Sequence, residues 1–152
     1  MKNEIIIGGL TAIVTGAFIS MQALLSGRAG QIIGPINTGF WTNFLGGSIA
    51  GLLILSIGAF RGFETVKITA TALPIVAIAG MLGIMIIMGV SFSTARAGVA
   101  AGLSAIMFGQ LVFGTLADTF GWGGSQPIPL DARRIVGLAV MAVAIFLLMK
   151  RN

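Results

Sequence analysis

The sequence contains no cysteine and no histidine. Without cysteine there is no disulfide and no thiol nucleophile. Without histidine there is no imidazole acid–base chemistry. Losing both residue types also removes the common zinc sites. Charge is scarce as well: 9% of the 152 residues are Asp, Glu, Lys or Arg, against about 25% in a soluble domain. The acidic set is Glu4, Glu64, Asp118 and Asp131, and only Asp118 falls within an apolar run, near its end. So few inward polar groups exclude a hydrolase or a metal enzyme as a sensible reading. No nucleophile–base pair is visible, no metal ligands cluster, and no cofactor is called for. The expectation is a protein that is not an enzyme.

What is abundant is apolar sequence. Hydrophobic residues make up 57% of the chain, and the mean hydropathy is strongly positive. Such a chain cannot clothe itself in a water-compatible surface, so its solvent partner is the lipid bilayer. The net charge of +5 raises the question of nucleic acid. The nine basic residues are scattered among loops, however, which is the ordinary decoration of membrane proteins and not a binding patch. No nucleic-acid partner is expected. The opening apolar run is too long for a signal peptide and lacks a cleavage site, so it reads as a retained first span.

A spanning helix needs about 20 mostly apolar residues. Five candidates fit: residues 5–25, 36–60, 69–90, 98–120 and 132–149. The fold class is therefore an all-α integral membrane protein with five transmembrane helices in a single transmembrane domain, residues 1–152. Ser26 to Pro35, with Gly27, Arg28, Gly30 and Gly34, is expected to break the first helix. Arg61 to Lys67 is a polar loop. Ser91 to Ala97, with Arg96, is a short link that turns the chain. Gly121 to Leu130 is the longest loop, and Asp131 is placed to cap the fifth helix. That helix is short and should lie close to the membrane normal, with Lys150 and Arg151 at the interface.

Five spans put the termini on opposite sides. One side then holds Lys2, Arg61, Lys67, Arg133 and Arg134, and the other Arg28, Arg96, Lys150 and Arg151. Basic bias in loops sets orientation, and a count of five against four leaves almost none. Either the short loops and first helix decide, or copies insert both ways and pair as an antiparallel, dual-topology dimer. A five-helix protomer is small for enclosing a solute path, which favours pairing. Twenty-three glycines are about twice average usage. Gly47 with Gly51, Gly98 with Gly102, and Gly46 with Ala50 have the small-xxx-small spacing that lets helices approach in lipid. Those faces pack within one protomer or form a dimer seam.

Polar side chains inside hydrocarbon need a partner or a water-filled path. The first helix carries Gly8, Thr11, Thr15 and Gln22 along one face. The second carries Asn37, Thr38, Thr42 and Asn43. The fourth carries Ser104, Gln110, Thr115 and Asp118, with Gln110 about 18 Å along it from Gly98. Gln22, Asn43 and Gln110, assisted by Thr15 and Thr42, are the candidate lining of a solute pathway. Hydrogen bonding between helices is their other reading. Asp118 is the sole candidate for ion coupling, set against a plain interfacial pair with Arg133 or Arg134. The Met81, Met85, Met88 stripe is packing or an adaptable solute face. Trp41 and Trp122 read as interface anchors.

Several of these elements occur together in a known pattern. Gly80-x-x-Gly83 precedes Ala95-Arg96-Ala97-Gly98. Gly109-Gln110-Leu111, Asp118-Thr119-Phe120-Gly121 and Arg133-Arg134-Ile135-Val136-Gly137 follow. The N-terminal half adds Gln22, Gly27-Arg28-x-Gly30 and Phe44-x-x-Gly47. Over nearly its whole length the chain resembles the small five-helix members of the drug/metabolite transporter (DMT) superfamily, the YdcZ-type inner-membrane exporters. It departs from them at Ser26, where that family often has Asn, and at Thr119, where it often has His. The resemblance implies a prokaryotic cell (inner) membrane and a paired assembly, a homodimer or a pair with a paralogue. It also implies transport of a small-molecule solute, without naming the molecule. The expected function is a secondary transporter, an exporter of a small organic or amphipathic solute working by alternating access in a dimer. A dual-topology small-ion channel and a non-conducting membrane assembly subunit are the alternatives.

Overall fold

The computed structural model describes residues 2–65, 68–122 and 126–148. Its regular elements among these residues are helices: α1 Lys2–Ile33, α2 Pro35–Arg61, a 3-10 turn at Phe63–Thr65, α3 Leu73–Ala97, α4 Val99–Phe120 and α5 Ala132–Leu148. In hydrocarbon every backbone N–H and C=O must be paired internally, and a helix does this within one segment. Glycine and threonine, poor helix formers in water, are accordingly carried inside these helices. Four of the helices, α1 to α4, are long and apolar enough to cross a membrane, and only 6–11% of each candidate span is buried within the chain. Large apolar side chains such as Ile13, Phe18, Leu52, Ile75 and Phe113 point outward. That is the inverse of a water-soluble helix.

The breaks are more economical than the sequence suggests. α1 does not stop at Leu25; it runs through Ser26, Gly27, Arg28 and Gly30 to Ile33. Isolated glycines do not end a helix where water is absent to take the freed bonds. The stop comes at Gly34, which has φ 82°, followed by Pro35 at the first position of α2. Proline disfavours the helical conformation in the residue before it, and its missing N–H is harmless at a helix start. The amide Nδ2 of Asn37 donates to the Ile33 carbonyl at 2.8 Å, and Thr38 Oγ1 donates to the Gly34 carbonyl at 2.9 Å. The Ile33 carbonyl, orphaned at the end of α1, is thereby covered, and the Gly34 carbonyl also accepts from Thr38 N at 3.0 Å.

The predicted link at Ser91 to Ala97 is likewise helical, the last two turns of α3. The reversal is confined to Gly98, with φ 84°, whose N–H bonds the Thr94 carbonyl at 3.1 Å. The third helix also starts later than Thr69. A turn, in which Ala72 N bonds Thr69 O at 3.0 Å, precedes Leu73. At the end of α2, Gly62 N bonds Gly58 O at 2.9 Å, and the Phe63 ring folds onto buried Gly58, where a Cβ would overlap it. The expected fifth helix is present to Leu148. Its last predicted residue, Met149, and the basic residues Lys67, Lys150 and Arg151 lie outside the described residues.

Two compact units emerge from the backbone contacts: Gln22–Phe92, and Met1–Met21 together with Ser93–Asn152. Each is considered by itself below.

Candidate functional site

In the unit Gln22–Phe92 the buried surface is small, and much of it is hydroxyl and glycine. On α1, Ala23, Ser26 and Gly27 are buried and Gly30 is half-buried. These positions, spaced 3, 4 and 7 apart, share one helix face. On α2, Thr38 and Gly39 are buried. On α3, Ile87, Val90 and Ser91 are buried. A Cβ added at Gly30 would overlap Ser91 Oγ and lie 3.2 Å from Ser91 Cβ. One added at Gly39 would overlap Met88 Cγ and lie 3.0 Å from the Ile84 carbonyl. So α3 lies against α1 at Gly30 and against α2 at Gly39, in each case because glycine leaves room.

Asn43 sits one turn after Gly39 on the same face. Its Nδ2 donates to the Gly39 carbonyl at 2.8 Å, and its Oδ1 would lie 3.1 Å from a Cβ on Gly83. Glycine at 83 therefore makes space for the amide. Thr42 beside it is half-buried. Gln22, the third predicted lining residue of this unit, is exposed on α1 and makes no hydrogen bond among the described residues. Phe40, Trp41 and Phe44 wall a shallow, open apolar recess of about 240 Å³ on α2. Trp41 packs edge-on to Phe44, with ring centroids 5.9 Å apart.

In the second unit, α4 packs on α5. Asp118 Oδ2 accepts from Arg134 Nη2 at 3.1 Å, with both side chains only partly covered. Asp118 lies near the end of α4, and Arg134 lies in the first turn of α5. Gly121 closes α4 in the left-handed conformation, φ 66° and ψ 30°, a common helix stop. Ile128 N then bonds the Asp118 carbonyl at 2.9 Å. Asp131 Oδ1 accepts from Arg134 N at 2.9 Å, the expected N-cap. Arg134 is thus held twice, its backbone N–H by Asp131 and its guanidinium by Asp118. Trp122 turns back onto α4, stacked on Phe120 (5.7 Å, 22°) and tilted against Phe113 (5.7 Å, 51°). Thr15 and Gln110 are exposed, and Gln110 makes no hydrogen bond among the described residues.

Of the four glycines read as packing positions, Gly102 is buried, and a Cβ there would lie 2.8 Å from Ser93 Oγ and 3.2 Å from Thr94 Cα. Gly98 is the turn. Gly47 and Gly51 meet nothing within 4 Å, so the close approach they permit is not used among the described residues. Among the described residues no three His, Cys, Asp or Glu side chains come together as a metal site.

Ser26, Thr38 and Ser91 are the buried hydroxyls of the first unit, and none was singled out as a site residue. Ser26 and Ser91 fell in segments taken for links. The signal was present in the spacing. Ala23-x-x-Ser26-Gly27-x-x-Gly30 is a small-residue face at helical period, and Ile87, Val90, Ser91 and Thr94 repeat it on α3.

Outward apolar helices with a sparse core of glycine and hydroxyl define a multi-pass helical membrane protein. A family model described as "Putative inner membrane exporter, YdcZ" matches residues 7–147. The chain belongs to this DMT-type YdcZ family of inner-membrane transport proteins, and it is a multi-pass protein of that membrane. No curated protein and no solved structure gave a match.

Proposed function

We propose that this protein is a secondary transporter that exports a small organic or amphipathic solute. The observation that carries the reading is the state of the span glutamines Gln22 and Gln110. Gln22 and Gln110 are exposed on apolar helices and lack a hydrogen-bond partner among the described residues. An amide left bare in hydrocarbon costs several kcal/mol by the order of magnitude for unsatisfied polar groups. It is retained where it meets a partner chain or a passing solute. Asn43 and Thr42 on α2 extend the polar set, and Thr15 adds a hydroxyl to α1.

A dimer supports this function better than a monomer does. Gly47 and Gly51 offer a close-approach face that nothing among the described residues fills, and the basic residues give almost no orientational bias. Antiparallel pairing of two copies, or of one copy with a paralogue, would set related five-helix protomers around a path near the midplane. The helix α5, 17 residues long, is within the range of about 17–25 that spans, and we take it as the fifth crossing.

The test is solute flux in proteoliposomes. Gln110→Leu should reduce flux several-fold while leaving the oligomer intact in detergent. Normal flux in that variant removes Gln110 from the route.

A further inference from the structure

Most span hydroxyls are satisfied by their own helix. Thr11, Ser20, Thr38, Ser48, Ser56, Ser104 and Thr119 each donate to the carbonyl four residues back, at 2.8–2.9 Å. This is the standard way to bury a hydroxyl in a helix. Ser91 is different. It is 0% exposed, and its Oγ has no hydrogen-bond partner among the described residues. The rotamer that would reach its own helix is not used. Instead the Oγ is directed at Gly30, where only the absence of a side chain admits it. A buried hydroxyl without a partner is rare in folded proteins and calls for an explanation.

We propose that Ser91 is a solute-binding residue, and that the α1–α3 seam at Ser26, Gly27, Gly30 and Ser91 opens to admit an uncharged, hydrogen-bond-accepting solute group such as a hydroxyl or carboxamide. This deepens the transporter reading and rests on it. The contact seen is the closed seam, in which the hydroxyl is held ready and unpaired. The solute supplies the acceptor that the protein withholds. Its charge follows from the walls: Ala23, Ser26, Gly27, Thr38, Ile87, Val90 and Ser91 are the buried surface here, and none is ionisable. Arg28 on α1 is exposed. An ion brought into such a seam would lose its hydration without gaining a counter-charge. A neutral polar group loses far less and gains the Ser91 hydrogen bond.

The chain lacks cysteine, so single cysteines report on a clean background. Ser91→Cys and Ala23→Cys, the second on the same face of α1, are reconstituted as full-length protein and reacted with N-ethylmaleimide. The assay is repeated with equal concentrations of acetamide, 1,2-propanediol, tetraethylammonium or acetate. The expected result is slow labelling at both positions; at Ala23→Cys, which keeps the Ser91 hydroxyl, an uncharged probe slows it further at least threefold and neither ion does. In Ala23→Cys, adding Ser91→Ala should leave the labelling rate unchanged and abolish the protection. A purely structural serine would not separate those two readouts. No labelling at either position, protection by the ions, or protection that survives Ser91→Ala overturns the assignment. If the parent protein moves solute while the seam stays unlabelled, the site fails and the transporter reading stands. If the seam is labelled and protected but no solute crosses the bilayer, the transporter reading fails and the site stands.

Discussion

Substituting Gly30 by alanine tests the α1–α3 contact most directly. The added Cβ would overlap Ser91 Oγ, lie 3.2 Å from Ser91 Cβ and lie 3.7 Å from the Ser91 carbonyl. Only the first of these is prohibitive. The second asks for a few tenths of an ångström, and the third is ordinary contact. Overpacking of this kind costs about 1–3 kcal/mol, while alanine in place of helical glycine returns up to about 1 kcal/mol. The net expectation for Gly30→Ala is a loss of about 1–2 kcal/mol.

Ser91→Ala removes the overlapping atom together with a hydroxyl that has no partner. Alone it should be neutral, or stabilising by up to about 1 kcal/mol, since an unsatisfied buried donor is itself unfavourable. Combined with Gly30→Ala it should recover most of the loss, a coupling of about 1–2 kcal/mol between two residues 61 positions apart. The assay is reversible unfolding in mixed micelles, followed by far-ultraviolet circular dichroism for all four members of the cycle. If Gly30→Ala is as stable as the parent, or Ser91→Ala restores less than half of its deficit, α1 and α3 do not meet at this pair.

Three further outcomes follow from the other elements. Asp131→Ala removes the acceptor for Arg134 N and should destabilise the start of α5 by about 1 kcal/mol, read as faster amide hydrogen exchange over residues 132–135 with α1 unaffected. Asp118→Asn deletes the charge that Arg134 holds at 3.1 Å; it should abolish flux driven by a proton gradient, and unchanged flux would exclude Asp118 from coupling and leave it a structural pair. Gln31→Cys and Gln126→Cys, both exposed, should each be labelled from both faces of intact membrane vesicles if the chain inserts in two orientations, and each from a single face if it inserts in one.

Much of the fold could be read from composition alone, because an apolar helix in lipid depends on little beyond length and hydropathy. The five helices, the Asp131 cap and the Asp118 pairing with Arg134 all lie where local chemistry requires them. The breaks were read less well. Gly27 and Gly30 look like a turn under rules learned in water, where glycine exposes the backbone to solvent. In lipid the same residues stay helical and become contact positions. The stronger condition of a positive φ is met at Gly34 before Pro35, Gly62, Gly98 and Gly121, and there the helices do end. What the sequence could not give was the partner of each small residue. Gly30 against Ser91, Gly39 against Met88, and Gly83 beside Asn43 are pairings of distant residues, and nothing in local periodicity selects them over Gly47 or Gly51.

The polar residues of the spans also divide in a way that counting them conceals. Asn37 and Asn43 look like candidate ligands, yet each donates its amide to a carbonyl four residues back, as the hydroxyls of Thr38 and Ser48 do. A group whose hydrogen bond is closed locally has less to offer a solute, because binding must first break that bond. By this criterion Asn43 keeps its carbonyl oxygen and one N–H available, and Thr38 keeps only its lone pairs. Gln22, Gln110 and Ser91 have no such closure among the described residues. The first two are exposed, and the third is sealed against a glycine. Transport by alternating access requires groups that exchange one environment for another, and a hydroxyl shut away without a partner gains more from that exchange than one already satisfied. The order of sensitivity to substitution should therefore follow hydrogen-bond closure and not polarity. Asn43→Leu should cost stability before flux, and Ser91→Ala should cost flux without costing stability.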